Sequence, residues 1–165
     1  MIDRAGPILA ASTDGPWLTR LATVMKMQGW TFCACRRAEE LPTLIAARSI
    51  GIVLVDWEAL GRARAASFIR RLRSQSSGFA LILTGAKNDF GAGNVALALA
   101  GGIDDFIVKT ISDRELVAKL KTHIRRLGVG QSHSLISHGG NIQLDLLHAR
   151  ASIKLRGKWK ELKPL

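Results

Sequence analysis

The sequence lacks any long apolar run, and this absence limits the kind of protein that it encodes. No continuous apolar stretch in the chain approaches the roughly 18 to 20 residues needed to span a bilayer. The N-terminal segment, residues 1–7, also lacks the basic stretch followed by an apolar one that marks a secretory signal. We therefore expect a cytoplasmic protein with no membrane partner.

Cysteines are scarce as well, since the chain has only Cys33 and Cys35. They stand two positions apart in an apolar run typical of a strand, so their side chains share a face and cannot easily form a disulfide with each other. One half of a metal site is an alternative, but the chain offers no second Cys or His pair at suitable spacing. The pattern predicts free, buried thiols in a reducing compartment and no metal centre.

Acidic residues are outnumbered, because 24 Lys and Arg against 13 Asp and Glu give a net charge of +11. Residues 1–126 hold 18 basic and 11 acidic residues, or +7, and the rest of the chain holds 6 and 2, or +4. Both parts favour phosphate-rich partners through counterion release, although charge alone says nothing about sequence recognition. Solvated helix faces are the simpler interpretation for arginines such as Arg70, Arg71 and Arg73.

Short apolar runs alternate with helical patterns along the first 126 residues. The runs at 52–55 and 81–83 are apolar without alternation, as expected of central parallel strands covered by helices on both faces. A capping box formed by Ser112 and Glu115 predicts the start of the last helix. The predicted strands are 8–11, 31–35, 52–55, 79–83 and 106–108, and the predicted helices lie near 18–25, 41–45, 65–72, 95–100 and 112–124.

Five strand–helix units joined by short links predict an α/β fold with a doubly wound, five-stranded parallel sheet. The ligand site of such a sheet lies at the carboxyl ends of its central strands. A polar, Gly-bearing stretch predicts a linker at 127–140. Short strands at 141–146 and 151–156, and a third through Trp159 and Leu162, predict a C-terminal antiparallel β segment at 141–165.

Three motifs mark the carboxyl ends of the third, fourth and fifth predicted strands. Residues 51–61, GIVLVDWEALG, place Asp56 at the end of the third strand, Thr84 ends the fourth, and GIDDFIVK at 102–109 ends the fifth with Lys109. In this order and spacing they resemble the receiver domain of bacterial response regulators, a CheY-like, flavodoxin-like fold of strand order 2-1-3-4-5. The resemblance covers residues 1–126 as one domain. It implies that Asp56 is the phospho-acceptor position and that Thr84, Phe106 and Lys109 are switch or phosphate-sensing positions.

The chain departs from the receiver pattern after the first strand. Receiver domains carry an acidic pair there to hold a divalent cation, whereas Ser12 and Thr13 occupy those positions here and Asp14 follows at a normally non-liganding place. Magnesium prefers carboxylate and water oxygens in octahedral geometry. We therefore predict weak or absent magnesium binding and no cofactor. A second departure is Thr110, where the family has proline; since a non-proline cis peptide costs about 3 kcal/mol, we predict a trans bond after Lys109.

The C-terminal β segment resembles the opening sheet of the OmpR/PhoB-type winged-helix domain. The helices that enter DNA follow immediately in that family, so the resemblance predicts a truncated winged-helix domain whose DNA reader is missing from this chain. An unrelated basic pair of strands is the alternative. The matching residues are Ile142, Asp145, Arg150, Ile153, Gly157 and the run 161–165, although Lys163 stands where the family has threonine.

The resemblance implies a two-component transcriptional response regulator rather than an enzyme. The sequence has no convincing Ser-His-Asp order, no Gly-rich phosphate loop and no metal cluster among its four histidines. Family members dimerise through the fourth helix, fifth strand and fifth helix, and we predict a homodimer that forms without phosphorylation and holds DNA-binding domains at half-site spacing. The alternative is a conventional receiver phosphorylated on Asp56 by a histidine kinase, with help from Asp14, Glu58 or the kinase itself. The implied dimer face contains Asp104, Asp105, Phe106, Arg114, Glu115 and Lys119.

Overall fold

Five strands of the first part of the chain form one parallel sheet in the computed structural model of the protein. Its order is β2-β1-β3-β4-β5, and each neighbouring pair is parallel. The predicted fold class and strand order are confirmed. The strands are β1 (Ile8–Ala11), β2 (Phe32–Cys35), β3 (Ile52–Asp56), β4 (Ala80–Gly85) and β5 (Asp105–Val108).

The chain divides into two compact units, residues 1–125 and 126–165. The boundary between the units adjoins the predicted linker. Among the described residues, no helix is both long enough and apolar enough to cross a membrane. The structure describes residues 6–61, 64–75, 78–130, 134–136, 142–145, 150–155 and 158–162.

The helices follow the apolar spacing and capping signals of the sequence. The first helix begins after Asp14, whose side chain accepts a hydrogen bond from the Trp17 N–H, and ends at Gly29 with φ 69°, a conformation that glycine adopts at little steric cost. The predicted capping box is present, because Ser112 and Glu115 exchange hydrogen bonds at the start of the last helix. The helices are α1 (Gly15–Gln28), α2 (Leu41–Ala47), α3 (Trp57–Leu60), α4 (Ala65–Gln75), α5 (Ala92–Ala100) and α6 (Asp113–Gly130).

Helix α3 is a single turn that the sequence pattern did not predict. The N–H of Glu58 binds Asp56, the residue that ends β3, and this contact caps the turn. A four-residue helix is too short to show a repeating apolar spacing. The third, fourth and fifth predicted helices are therefore α4, α5 and α6 of the structure.

The core surrounds the central strands of the parallel sheet. Every residue of β1, β3 and β4 is buried, and for the runs 52–55 and 81–83 this burial was predicted from their unbroken apolar character. Full burial of each large aliphatic side chain contributes about 1.5 to 3 kcal/mol. The edge strands β2 and β5 are only partly buried. The polar side chains at the carboxyl ends of the central strands are therefore attached to fully buried backbone segments.

Cys33 and Cys35 are free thiols on β2, as predicted. Cys35 is buried, whereas Cys33 is only partly buried. Burial raises the pKa of Cys35 to about 11. Cys35 is therefore protonated at neutral pH and is a poor nucleophile or metal ligand.

The second unit contains an antiparallel sheet of order β6-β7-β8-β9. The last three of these strands match the three predicted ones. The first lies inside the predicted linker, and α6 also extends into that stretch as far as Gly130. Gly157 and residues 163–165, which carry part of the winged-helix resemblance, lie outside the described residues. The strands are β6 (Ser134–Ile136), β7 (Ile142–Asp145), β8 (Arg150–Leu155) and β9 (Lys158–Leu162).

Candidate functional site at the carboxyl edge of the parallel sheet

The carboxyl ends of four strands bring the predicted site residues to one edge of the sheet. Asp56, the last residue of β3, lies opposite Thr84 in the register of β4. Ser12 directly follows β1, and Lys109 directly follows β5. Residues that are far apart in the sequence therefore meet at one place, because all the strands run in the same direction.

Asp56 is completely buried, with a relative exposure of 0%. Its Oδ2 atom accepts a hydrogen bond of 2.5 Å from Ser12 Oγ and lies 2.5 Å from Lys109 Nζ. Its Oδ1 atom accepts a hydrogen bond of 3.4 Å from the Glu58 N–H. A buried carboxylate is tolerated when it is both paired and hydrogen bonded. Here Lys109 is the paired cation, and Ser12 and Glu58 donate the hydrogen bonds.

Ser12 links the start of α1 to Asp56. Its hydroxyl is buried, donates to Asp56 and accepts a hydrogen bond of 3.1 Å from the Asp14 N–H. Thr13, by contrast, is exposed. Of the two positions that match the acidic pair, Ser12 contacts the candidate phospho-acceptor and Thr13 faces solvent.

Lys109 bridges two carboxylates. Its Nζ lies 2.5 Å from Asp56 Oδ2 and 3.1 Å from Asp14 Oδ2. Burial disfavours its charged form, but the hydrogen bonds to Asp56 and Asp14 outweigh burial and raise the pKa of Lys109 above the ordinary lysine value. The Trp17 N–H and the Lys109 ammonium lower the pKa of Asp14. The Lys109 ammonium is therefore the counter-charge of both carboxylates, Asp56 and Asp14.

Arg20 is a residue of this site that sequence reasoning missed. It lies on α1, and its guanidinium contacts the carbonyl oxygens of Lys109 and Ile111 and the carboxylate of Asp113. An arginine on a surface helix gives no sequence signal that it binds a loop 89 positions later. The Lys109–Thr110 bond within that loop is trans, as predicted, since the described residues contain no cis peptide.

The two other predicted switch residues, Thr84 and Phe106, differ in their surroundings. Thr84 is buried beside Asp56 across the β3–β4 pair. Phe106 on β5 is partly buried, and its ring lies 5.1 Å from that of Phe90 and 5.8 Å from Lys119 Nζ. Phe106 is therefore held by an aromatic contact and a cation–π contact.

Three predicted dimer-face residues, Asp105, Phe106 and Lys119, form a cluster on β5 and α6. Lys119 Nζ lies 2.9 Å from the Asp105 carboxylate, and Nε2 of the buried His123 lies 3.1 Å from the same group. Burial opposes ionisation of Asp105, but His123 and Lys119 outweigh it and lower the pKa of Asp105 to about 2. This carboxylate is therefore ionised and paired within the chain.

The other dimer-face residues lie elsewhere on the surface. Asp104 pairs with Arg73 of α4 and accepts a hydrogen bond of 2.7 Å from the Leu81 N–H. Arg114 lines a groove between α1 and α6, and Glu115 caps the start of α6. The structure thus brings three of the six predicted residues together and directs the others to different surroundings.

A parallel sheet of order 2-1-3-4-5 with an aspartate, a hydroxyl and a lysine at its carboxyl edge defines the receiver class of proteins. The signal receiver domain of an HD domain-containing protein from Pseudomonas fluorescens shares the fold, with a TM-score of 0.69 and 21% identity over 80% of this chain and 96% of that one. The beryllofluoride-activated receiver domain of RstA from Klebsiella pneumoniae gives a TM-score of 0.64 at 25% identity, covering 72% and 98% of the two chains.

Sequence comparison places the chain more narrowly. No family model matches it. It is 31% identical over 159 residues to the phosphate regulon transcriptional regulatory protein PhoB of Pseudomonas aeruginosa, a match that covers 95% of this chain and 67% of that protein. The chain belongs to the response regulator family that includes this PhoB.

Proposed function

We propose that this chain is the receiver part of a transcriptional response regulator that signals without phosphorylation of Asp56. The observation that carries the proposal is the double contact at Asp56 Oδ2, which Ser12 Oγ and Lys109 Nζ both approach to 2.5 Å. A carboxylate attacks phosphorus through an oxygen lone pair. These two donors occupy the lone pairs of Oδ2, and Oδ1 accepts a hydrogen bond of 3.4 Å from the Glu58 N–H. Complete burial of Asp56 adds a second obstacle.

The proposal includes the absence of a resident magnesium ion, and the donor groups support this. Magnesium requires near-octahedral oxygen ligands with carboxylates among them. At the positions of the acidic pair, the Ser12 hydroxyl is already bonded to Asp56 and Thr13 is exposed. The Asp14 carboxylate is paired with Lys109. These residues do not fit the cation that the receiver resemblance implies, and the described residues hold no group of three His, Cys, Asp or Glu suited to a metal.

We further propose that the chain forms a homodimer through α5, β5 and α6. The cluster of Asp105, Phe106 and Lys119 supports this face because it combines a partly buried aromatic ring with both signs of charge. PhoB is a transcriptional regulator by name, and base readout requires an element that enters a DNA groove. We therefore propose that DNA binding by this protein depends on a winged-helix domain of the kind that the C-terminal resemblance implies.

Two measurements on the full chain test the function. We expect no label on the protein after incubation with radiolabelled acetyl phosphate and magnesium. The Asp56→Asn control is expected to give the same result. Sedimentation is expected to show a dimer both with and without magnesium and beryllofluoride. Label that disappears in the Asp56→Asn variant, or a dimer that requires both additives, would overturn the proposal.

A conventional receiver phosphorylated on Asp56 by a histidine kinase is the second candidate. The observation in its favour is that Asp14 Oδ2 lies 3.1 Å from Lys109 Nζ, so a second carboxylate remains in the pocket. The exposed Glu58 follows Asp56 by two positions and offers a third. Magnesium-dependent labelling that is lost in an Asp14→Asn variant but kept in a Glu39→Gln control would favour this candidate.

A further inference from the structure

Arg20 ties helix α1 to the loop between β5 and α6. Its Nη1 donates a hydrogen bond of 2.8 Å to the Lys109 carbonyl, and its Nη2 donates to the Ile111 carbonyl. Its Nε donates a hydrogen bond of 2.8 Å to the Asp113 carboxylate. Two guanidinium nitrogens therefore bind backbone carbonyls of the loop, and the third binds Asp113, the first residue of α6.

The loop is held on its amide side as well. The Lys109 N–H donates to the Gly85 carbonyl at 2.8 Å, and the Ile111 N–H donates to the Val108 carbonyl at 2.9 Å. Arg20 supplies the donors for the carbonyl side of the same residues. With both sides of the backbone fixed, only the side-chain rotamers of Lys109 decide where its ammonium lies.

Helix α1 thus contacts Lys109 at two points. Asp14, at the start of the helix, binds the Lys109 ammonium, and Arg20 binds the carbonyl of the same residue. The buried Trp17 lies between them in sequence, donates its N–H to Asp14 and has its ring centre 5.5 Å from the Arg20 guanidinium. These contacts form one connected arrangement from the helix to the pocket.

We propose that Arg20 is a positioning residue for Lys109, because Arg20 holds the Lys109 backbone so that the ammonium stays in contact with Asp56 and Asp14. The inference rests on the proposed function, because it names what maintains the contacts that obstruct phosphorylation. Arg20 acts through Lys109 and is assigned no contact with a ligand.

The chemistry of arginine fits this positioning role better than it fits the role of one partner in a surface ion pair. The Asp113 side chain is 63% exposed, and exposed ion pairs contribute about 0 to 1 kcal/mol. Hydrogen bonds from a charged donor to carbonyls are stronger, and the planar fork of a guanidinium reaches several acceptors at once. A lysine at position 20 would keep the charge but lose the fork.

The test follows the titration of the Lys109 side chain by NMR in the full chain. Loss of the positive charge at Arg20 would by itself raise the Lys109 pKa, because a like charge disappears. Loss of positioning would lower it, because the contacts with Asp56 and Asp14 weaken. In Arg20→Gln we expect the Lys109 pKa to fall towards the ordinary lysine value. We also expect hydrogen exchange of the Lys109 and Ile111 amides to quicken by about tenfold or more.

Three further variants complete the experiment. Lys26→Gln removes an exposed charge from the last turn of α1 and is expected to change neither measurement. Arg20→Lys is expected to behave like Arg20→Gln, whereas Asp113→Asn, which keeps the carbonyl contacts, is expected to have little effect. If Arg20→Gln fails to fold, Arg20→Lys and Asp113→Asn still decide between positioning and a plain ion pair.

An unchanged or raised Lys109 pKa in both Arg20 variants would overturn the inference. That result would leave the proposed function standing, because the proposed function depends on labelling and sedimentation of the unaltered protein. Conversely, labelling of the unaltered protein on Asp56 would overturn the proposed function and leave the positioning of Lys109 by Arg20 unaffected.

Discussion

The Ser12 hydroxyl donates a 2.5 Å hydrogen bond to Asp56 Oδ2, at a position where the receiver resemblance places a carboxylate. A carboxylate there would repel Asp56 unless a cation stood between them. A hydroxyl instead attracts it, and Lys109 adds a positive charge at the same oxygen. The chain therefore supplies both the hydrogen bond and the counter-charge of its buried aspartate.

Restoring the acidic pair should create a dependence on magnesium. The double variant Ser12→Asp/Thr13→Asp replaces an attractive contact by a repulsive one, so we expect a lower melting temperature without magnesium. Saturating magnesium should then raise it by several degrees, since a ligand at about 100 times its Kd adds about 2.7 kcal/mol. Thermal unfolding measures the melting temperature with and without magnesium. An equal effect of magnesium on the unaltered protein would contradict the prediction, and Ser12→Ala is the control that removes the hydroxyl without adding charge.

Removing the ammonium of Lys109 should expose the cost of the buried carboxylate. In Lys109→Met we expect the free energy of unfolding to fall by about 3 to 5 kcal/mol, because Asp56 loses its counter-charge. The double variant Asp56→Asn/Lys109→Met should lose less than the sum of the single losses. Urea unfolding of the four proteins gives this coupling. Strictly additive losses would show that the two groups are not paired.

The Asp105 carboxylate should make stability depend on acid pH. Its pKa of about 2 lies below the unfolded value of 3.8 because His123 and Lys119 outweigh burial. The stabilisation is therefore complete above pH 3.8 and is lost as the pH falls towards 2. A shift of this size corresponds to about 2 kcal/mol.

The variant Asp105→Asn checks this pH dependence. The difference in unfolding free energy between the two proteins should be largest at pH 6 and should shrink steadily as the pH falls from 4 to 2. A difference that stays constant over that range would mean that ionisation of Asp105 does not stabilise the fold. Asp113→Asn, at an exposed site, is the matched carboxylate control.

Two glycines should respond oppositely to alanine. Gly102 has φ 105°, and a Cβ there would lie 2.9 Å from Arg73 Cγ, so Gly102→Ala combines backbone strain with a clash and should cost about 1 to 3 kcal/mol. Gly93 lies within helix α5 with open space around it, and Gly93→Ala should be neutral or slightly stabilising, because alanine has the higher helix propensity. Equal effects of the two substitutions on the midpoint of chemical unfolding would contradict this prediction.

The architecture of the first unit was predictable because its signals are local. Unbroken apolar runs are typical of strands buried on both faces, and β1, β3 and β4 are buried throughout. Parallel strands also place their carboxyl ends together, which is why Asp56, Thr84 and Lys109 could be assigned to one edge. The capping box of Ser112 and Glu115 followed from a spacing of three residues.

The contacts that distinguish this pocket were not predictable in the same way. The bond from Ser12 to Asp56 spans 44 positions and that from Arg20 to Lys109 spans 89, so no local pattern contains them. Asp104 and Asp105 are adjacent and chemically identical, yet one pairs with Arg73 and the other with Lys119. Asp104 precedes β5 and Asp105 is its first residue, and their partners lie on different helices, α4 and α6, so the pairing depends on how the helices pack.

Under the proposed function, the contacts on Asp56 determine how long a signal lasts in this protein. An acyl phosphate is a covalent modification, which persists until water hydrolyses it. Hydrogen bonds from Ser12 and Lys109 form and break without any covalent modification. Under the proposed function, the output therefore follows the present concentration of whatever shifts the conformational equilibrium of the protein. The amplitude of that output is limited by the difference in affinity between its two states.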